Sequence, residues 1–273
     1  MRRTPAWKEF RPLDVACAAV LGVEPERARH DLLIVEGAIG SVVTASSPCP
    51  VAVIETFRGA AVRVFDPLRS VVARLVREGM EQGAALSEAN RNRIVEAVAT
   101  RLPIVEIWHD LLHYTDREHF VPVHDHRVRR IRDTERRARG KAKQDAVGKS
   151  FREAYGVYVK RQLAAYADIA MRGDYACSIG VFTEQDFRGQ GMAKSAVSAA
   201  TRAILGAGRV PLYTTDETNA ASLSICRGLG YLKYGRDLYC FMASEDERTR
   251  REEAAREAER RAADYALHRW VID

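Results

Sequence analysis

Ile179-Gly180-Val181-Phe182-Thr183-Glu184-Gln185-Asp186-Phe187-Arg188-Gly189-Gln190-Gly191-Met192-Ala193-Lys194 runs from an apolar strand through a loop with two glycines straight into a helix. Glycines let a backbone turn tightly and bring its N–H groups close to a ligand. A helix N-terminus adds unpaired donors and partial positive charge, a setting suited to a pyrophosphate. Arg188 and Lys194 flank the turn with further positive charge. Two well-known phosphate loops do not fit. A Walker A loop needs glycine where Arg188 and Ala193 stand, and the third glycine of a Rossmann fingerprint falls on Lys194. The spacing that fits is R-x-x-G-x-A, at Arg188, Gly191 and Ala193.

Around this stretch the pattern is regular. Upstream, Val128–Ile131 reads as a strand, and a long Arg-, Lys- and Ala-rich helix starts at Asp133. Tyr155–Val159, Leu163–Met171 and Tyr175–Thr183 read as three strands, the first two joined by the tight link Lys160-Arg161-Gln162. Downstream come a helix from Gly191 to Leu205, a strand Val210–Thr214, a helix Ala220–Leu229 and a strand Tyr231–Met242. The order is β-α-β-β-β-α-β-α-β.

A second motif lies one helix and one strand beyond the loop. Asn219-Ala220-Ala221-Ser222-Leu223-Ser224-Ile225-Cys226-Arg227-Gly228-Leu229-Gly230-Tyr231 is similar to the N-x-x-[AS]…L-G-[FY] signature of the GNAT superfamily of acyl-CoA-dependent N-acetyltransferases. With R-x-x-G-x-A before it, in the family's order, the stretch from about Pro122 to Ala243 resembles a GNAT core. The expected fold is mixed α/β (α+β): a GNAT-like acyltransferase core with a central mixed sheet. A smaller α/β domain of unknown role, residues 1–121, precedes the core at 122–243, and a charged helix, residues 244–273, follows it.

In the N-terminal part, Asp14–Leu21 reads as a helix, and Leu32–Val35, Val51–Thr56 and Ala61–Phe65 as strands. Pro67 opens a helix through Arg77, and Ser87 starts another. Pro103–Trp108 reads as a strand.

The resemblance implies acetyl transfer from acetyl-CoA to a primary amine by direct attack in a ternary complex. It places acyl-CoA where two parallel strands splay apart, the one ending at Thr183 and Val210–Thr214. Backbone groups of Val181, Phe182 and Thr183 would pair with the pantetheine arm. N–H groups of Gly189, Gln190, Gly191, Met192, Ala193 and Lys194, beside Arg188, would hold the pyrophosphate. Asn219 and Ser222 would contact pantetheine or phosphate. Where the family often carries a tyrosine acid, this chain has Cys226; where it often carries a glutamate base, Tyr175. A thiol near pKa 8.5 could protonate a thiolate, whereas a tyrosine near 10 is a poor base and reads better as lining the amine site. Free cysteine is also a common core filler. Asp168 is the candidate carboxylate, and Tyr234 and Tyr239 could reach the thiolate instead.

Composition narrows the class. The chain has 273 residues, 47% apolar and 29% charged, an ordinary globular balance. No run approaches the roughly 18 apolar residues of a membrane span, and no long apolar segment follows the start, so neither membrane insertion nor a signal peptide is expected. Five cysteines without a C-x-x-C pair argue against a disulfide framework or zinc ribbon. The expectation is a reduced, cytoplasmic protein.

The net charge of +6 favours anionic partners without choosing one. His109-Asp110-Leu111-Leu112-His113 resembles H-E-x-x-H only superficially, since the preceding residues read as strand, so no metal is expected. The basic run from Arg127 to Lys143 lacks aromatic stacking platforms and is interrupted by Asp133 and Glu135, which favours a solvated helix face over a nucleic-acid surface. Two rivals stand beside the acetyltransferase reading: a catalytically weak acyl-CoA-binding module, and a nucleic-acid-associated protein using the Arg-rich helix. The acceptor, a small molecule or a peptide amine, stays open, as does the oligomeric state, a homodimer among the options.

Overall fold

The structure, a computed structural model, describes residues 11–21, 32–37, 49–57, 59–131, 151–172 and 174–242. The Arg-rich helix expected from Asp133 and the charged C-terminal helix lie outside these residues. One mixed sheet organises the rest, in the order β1-β3-β2-β11-β5-β10-β9-β8-β7-β6, with β4 also pairing β11. Its strands are β1 (Leu32–Gly37), β2 (Val51–Thr56), β3 (Gly59–Val64), β4 (Ile104–Trp108), β5 (Asp110–Tyr114), β6 (Val128–Arg130), β7 (Phe151–Val159), β8 (Gln162–Arg172), β9 (Ala176–Thr183), β10 (Val210–Asp216) and β11 (Leu232–Met242). The helices are α1 (Pro12–Leu21), α2 (Arg69–Glu81), α3 (Glu88–Ala99), α4 (Met192–Gly206) and α5 (Ala220–Gly228). Pro67 lies in a single 3-10 turn, Asp66–Leu68, so α2 itself starts two residues later than the proline suggests.

Residues alternate between faces along each strand, and the alternation assigns the helices. Tyr213, Ile179, Cys177, Ala167 and Ala165 point to α4, whose Ala196, Val197, Ala200 and Ile204 complete that core. Leu212, Val210, Leu112, Tyr114 and Tyr234 point the other way, onto Val15–Ala18 of α1. A second core joins Val51, Val53, Val62 and Leu238 to α2 and α3. Lys160 and Arg161, both at positive φ (46° and 70°), form the two-residue turn that sends β7 into β8. Such turns match the right-handed twist of a hairpin.

β5 is the element the sequence pattern does not disclose. It lies between β10 and β11, antiparallel to both, with Leu111 opposite Thr215 on one side and Arg236 on the other. β11 then continues onto β2, so the sheet crosses position 121 without a break.

The segment after β5 is a strap along α4 and α5. The Thr115 hydroxyl donates to Gly230 O (2.8 Å), and Val121 N donates to Leu229 O (3.1 Å). Val123 N donates to the Ser198 hydroxyl (3.0 Å). A side chain at Gly230 would run into the His119 carbonyl, and Gly230 has a φ of +74°.

Candidate functional site

β9 keeps its β8 partner to its end, with Thr183 opposite Ala165. Its other edge, toward β10, pairs only as far as Ile179 opposite Tyr213. Beyond that point β10 continues to Asp216 on β5 alone. The two parallel strands therefore diverge at Gly180 and Thr214, and the backbone of Val181, Phe182 and Thr183 faces a wedge. A lone strand edge beside an apolar floor accepts an extended amide-containing chain as an added strand. Val181 and Thr183 face α4, while Phe182 faces the opposite side against Tyr166, ring centres 5.7 Å apart.

The wedge opens onto the glycine loop. A 3-10 turn, Gln185–Phe187, is followed by extended Arg188 and by Gly189 and Gly191 at φ of +76° and +77°. No side chain caps α4, and its first turn closes with Ser195 N donating to Gly191 O (3.1 Å). The N–H groups of Met192, Ala193 and Lys194 thus have no acceptor within the helix. Left-handed glycines before an uncapped N-terminus form an anion cradle. Met192 contributes only its backbone there, since its side chain is buried in the core. The Lys194 side chain crosses to α5 and lies over Gly228.

His126, at the end of the strap, donates from Nε2 to Gln190 O at 2.7 Å and so pins the loop from outside. Neither sequence motif contains it, and its role is visible only in three dimensions.

On the other side of the wedge, Asn219 caps α5, its Oδ1 accepting from Ser222 N at 3.0 Å. Cys226 lies in the core beside Tyr213 and Tyr231, 1% exposed, and burial pushes its thiol up to about 12. A thiol so placed is a weak proton donor. Tyr231 is fully paired, its hydroxyl 2.7 Å from that of Thr201.

Through the sheet, on the α1 side, Asp168 stands opposite Gly180 in register. Its carboxylate lies over Gly180, in the space any side chain there would fill. The residue where pairing fails is therefore also the one that admits a carboxylate to the wedge. Tyr175 does not join this group. It precedes β9 at the end remote from the wedge, packed with the α1 core. Five residues of strand put it about 16 Å from Gly180.

Sequence reasoning also passed over Asp237. It is 4% exposed and accepts from Asp110 N at 2.9 Å. Burial first, then the neighbouring Asp110 carboxyl, raise its pKa to about 8. A separate cleft, lined by Glu55, Phe57, Met80, Lys233 and Arg236, lies between the β2–β3 turn and the α2–α3 loop, away from the wedge. Among the described residues no group of three or more His, Cys, Asp or Glu could hold a metal ion, and no helix is long and apolar enough to cross a membrane.

Residues 154–241, which span the wedge and both of its helices, match the FR47-like protein family. No curated protein matches the chain. Among solved structures, one from Novosphingobium aromaticivorans, assigned to the GNAT family as an acetyltransferase, is 20% identical over 52% of this chain and 67% of its own, with a TM-score of 0.44. A GCN5-related N-acetyltransferase from Kribbella flavida is 17% identical over 54% of this chain and 63% of its own, at 0.42. One from Sphaerobacter thermophilus is 13% identical over 87% and 94%, at 0.44. The matched parts thus span about two thirds of the first two proteins.

Proposed function

From a chain whose core has the mixed α/β fold of the GNAT superfamily, we propose an acyl-CoA-dependent N-acyltransferase that moves an acetyl group from acetyl-CoA to a primary amine. The observation that carries this reading is the one-sided loss of pairing after Ile179–Tyr213, followed along the same chain by the glycine loop and the uncapped N-terminus of α4. One continuous path then offers an unpaired strand edge for two amides and a helix N-terminus for a diphosphate. Pantetheine and the pyrophosphate of CoA carry those groups in that order.

In this reading the backbone of Val181, Phe182 and Thr183 takes the pantetheine arm. The turn from Arg188 through Gly189, Gln190, Gly191 and Met192 to Ala193 and Lys194 takes the phosphates. Asn219 and Ser222, at the start of α5, border the arm. The amine approaches from the α1 side, where Asp168 accepts its proton as nitrogen attacks the thioester carbon. Tyr175 is too far along β9 for that task, and Cys226 is packing. The acceptor is a primary amine, of a small molecule or a peptide.

Calorimetry with acetyl-CoA on wild type and on Ala193→Asp tests the reading. A carboxylate in the first turn of α4 suits the helix dipole, so the variant keeps its fold while repelling a diphosphate. Binding by wild type that the variant loses is the expected result. Equal binding by both, or binding by neither, overturns the assignment of the donor site. Binding without acyl transfer to any amine would identify a binding module instead.

A further inference from the structure

Lys233 and Arg236 stand three residues apart on β11, a spacing that puts side chains on opposite faces of a regular strand. Here they share a face. Lys233 is opposite His113 and Arg236 is opposite Leu111, two residues apart on β5, because the register shifts by one between Lys233 and Gly235. A bulge of this kind re-aims a side chain, and both cations line the cleft between the β2–β3 turn and the α2–α3 loop. The sheet closes tightly behind them, since a Cβ at Gly235 would run into the Glu55 carbonyl. The cleft has a volume of about 490 Å³, within the range of small-molecule sites.

The two cations are used differently. Glu55 Oε1 and Oε2 accept from Ala85 N and Leu86 N, at 2.5 and 3.1 Å. Arg236 donates from Nη1 to Leu86 O at 3.0 Å, and its Nε lies 3.7 Å from Glu55 Oε2. That pair holds the α2–α3 loop, and its charges cancel. Lys233 makes no hydrogen bond or ion pair among the described residues. Burial first, then Arg236, lower its pKa against the opposing pull of Glu217 and Glu55. The cleft thus carries one partly desolvated positive charge with no anion set against it. Its remaining wall is apolar. Phe57, in the β2–β3 turn, is 66% exposed, and Met80 ends α2 beside it. A ring face and a thioether both favour contact with an aromatic group. On the loop side a Cβ at Gly83 would meet nothing within 4 Å, so the space in front of the ring is open.

We propose that this cleft is a second binding site, for a small aromatic carboxylate, with the carboxylate on the Lys233 ammonium and the ring against Phe57 and Met80. One free ammonium matches one carboxylate. The backbone donors of the α2–α3 loop, which a phosphate would need, are already taken by Glu55. The cleft shares no residue with the donor site. It opens on the α2–α3 face of the sheet, where Leu238 follows Arg236 into the second core, whereas the amine approaches from the α1 face. Its ligand is therefore neither the acyl donor nor the acceptor.

Calorimetry on the full chain, with excess CoA present to occupy the donor site, compares 2-naphthylacetate with its neutral amide, 2-naphthylacetamide. Wild type should bind one equivalent of the carboxylate with a Kd below about 1 mM. It should prefer the carboxylate to the amide by at least about tenfold, the effect of one charge-assisted hydrogen bond. Lys233→Gln should bind the two probes equally, at the wild-type affinity for the amide, and Lys233→Arg should restore the preference. Phe57→Ser should weaken both probes by the same factor and leave the preference intact. Lys233 and Phe57 are both exposed, so these variants keep the fold. Equal binding of the two probes by wild type, a preference that survives in Lys233→Gln, or Phe57→Ser without effect overturns the assignment. So does carboxylate binding that excess CoA abolishes, or no binding of the carboxylate below about 10 mM.

Discussion

Asp237 makes the pH dependence of stability calculable. Its carboxyl rises from 3.8 in the unfolded chain to about 8 in the folded one. The folded state therefore holds a proton that the unfolded state has given up, at every pH between those values. Stability is fully present below about pH 4, falls as pH rises toward 8, and changes no further above it. About four pH units at about 1.4 kcal/mol each set a ceiling of about 6 kcal/mol. That is a large part of the 5–15 kcal/mol typical of a folded chain. Asp110, raised by the same burial, acts with the same sign. His113, whose pKa burial lowers, acts against it, since its stabilisation is present above its unfolded value and lost below. The difference between two proteins isolates Asp237. Asp237→Asn keeps an oxygen for the Asp110 N–H and removes the charge. In urea titrations from about pH 5 to 7, wild type should lose stability relative to the variant by up to about 1.4 kcal/mol per pH unit. At pH 8 the variant should be the more stable protein. Parallel curves for the two, or a variant less stable at pH 8, would refute the reasoning.

Three further outcomes are expected. Gly180→Ala puts a methyl group where the Asp168 carboxylate lies, so acyl transfer should fall by about tenfold to a hundredfold while calorimetric affinity for CoA stays within about twofold. His126→Ala removes the bond that pins Gln190 O, and at about 1 kcal/mol per hydrogen bond the Kd for CoA should rise about fivefold, with His126→Gln recovering part of it. Gly230→Ala combines a positive φ, worth about 1–2 kcal/mol, with overlap against the His119 carbonyl. By thermal denaturation it should lower Tm by at least about 5 °C, against a smaller drop for Gly83→Ala, where a Cβ would meet nothing within 4 Å.

The mixed α/β core was legible because its signals are local. Glycines bracket Gln190, an apolar helical period begins at Met192, and Asn219 announces α5, so α4, β10 and α5 fall within two residues of their expected limits. β5 was not legible. Asp110–Tyr114 becomes a central strand only because β10 and β11, about a hundred residues later in the sequence, close on both its edges. The wedge is likewise a failure of register after Tyr213, with no residue type of its own. Tyr175 stands just before β9, at the end of that strand remote from the wedge, a separation set by strand length that no local pattern shows. His126 and Asp237 carry no local pattern, since one acts through a loop carbonyl and the other through burial.

The same placement of β5 constrains how the chain is made. At about 5–20 residues per second, a ribosome that has finished Tyr114 needs roughly 5–20 s more to deliver β10, and longer to deliver β11. Throughout that interval Leu111, Leu112 and His113 wait with both strand edges unclaimed. A nascent chain in that state offers its edges to any neighbour on the polysome. Factors that shield emerging strands should therefore raise the yield of this protein more than slow elongation does, because slowing translation lengthens the wait and leaves the partners just as far behind.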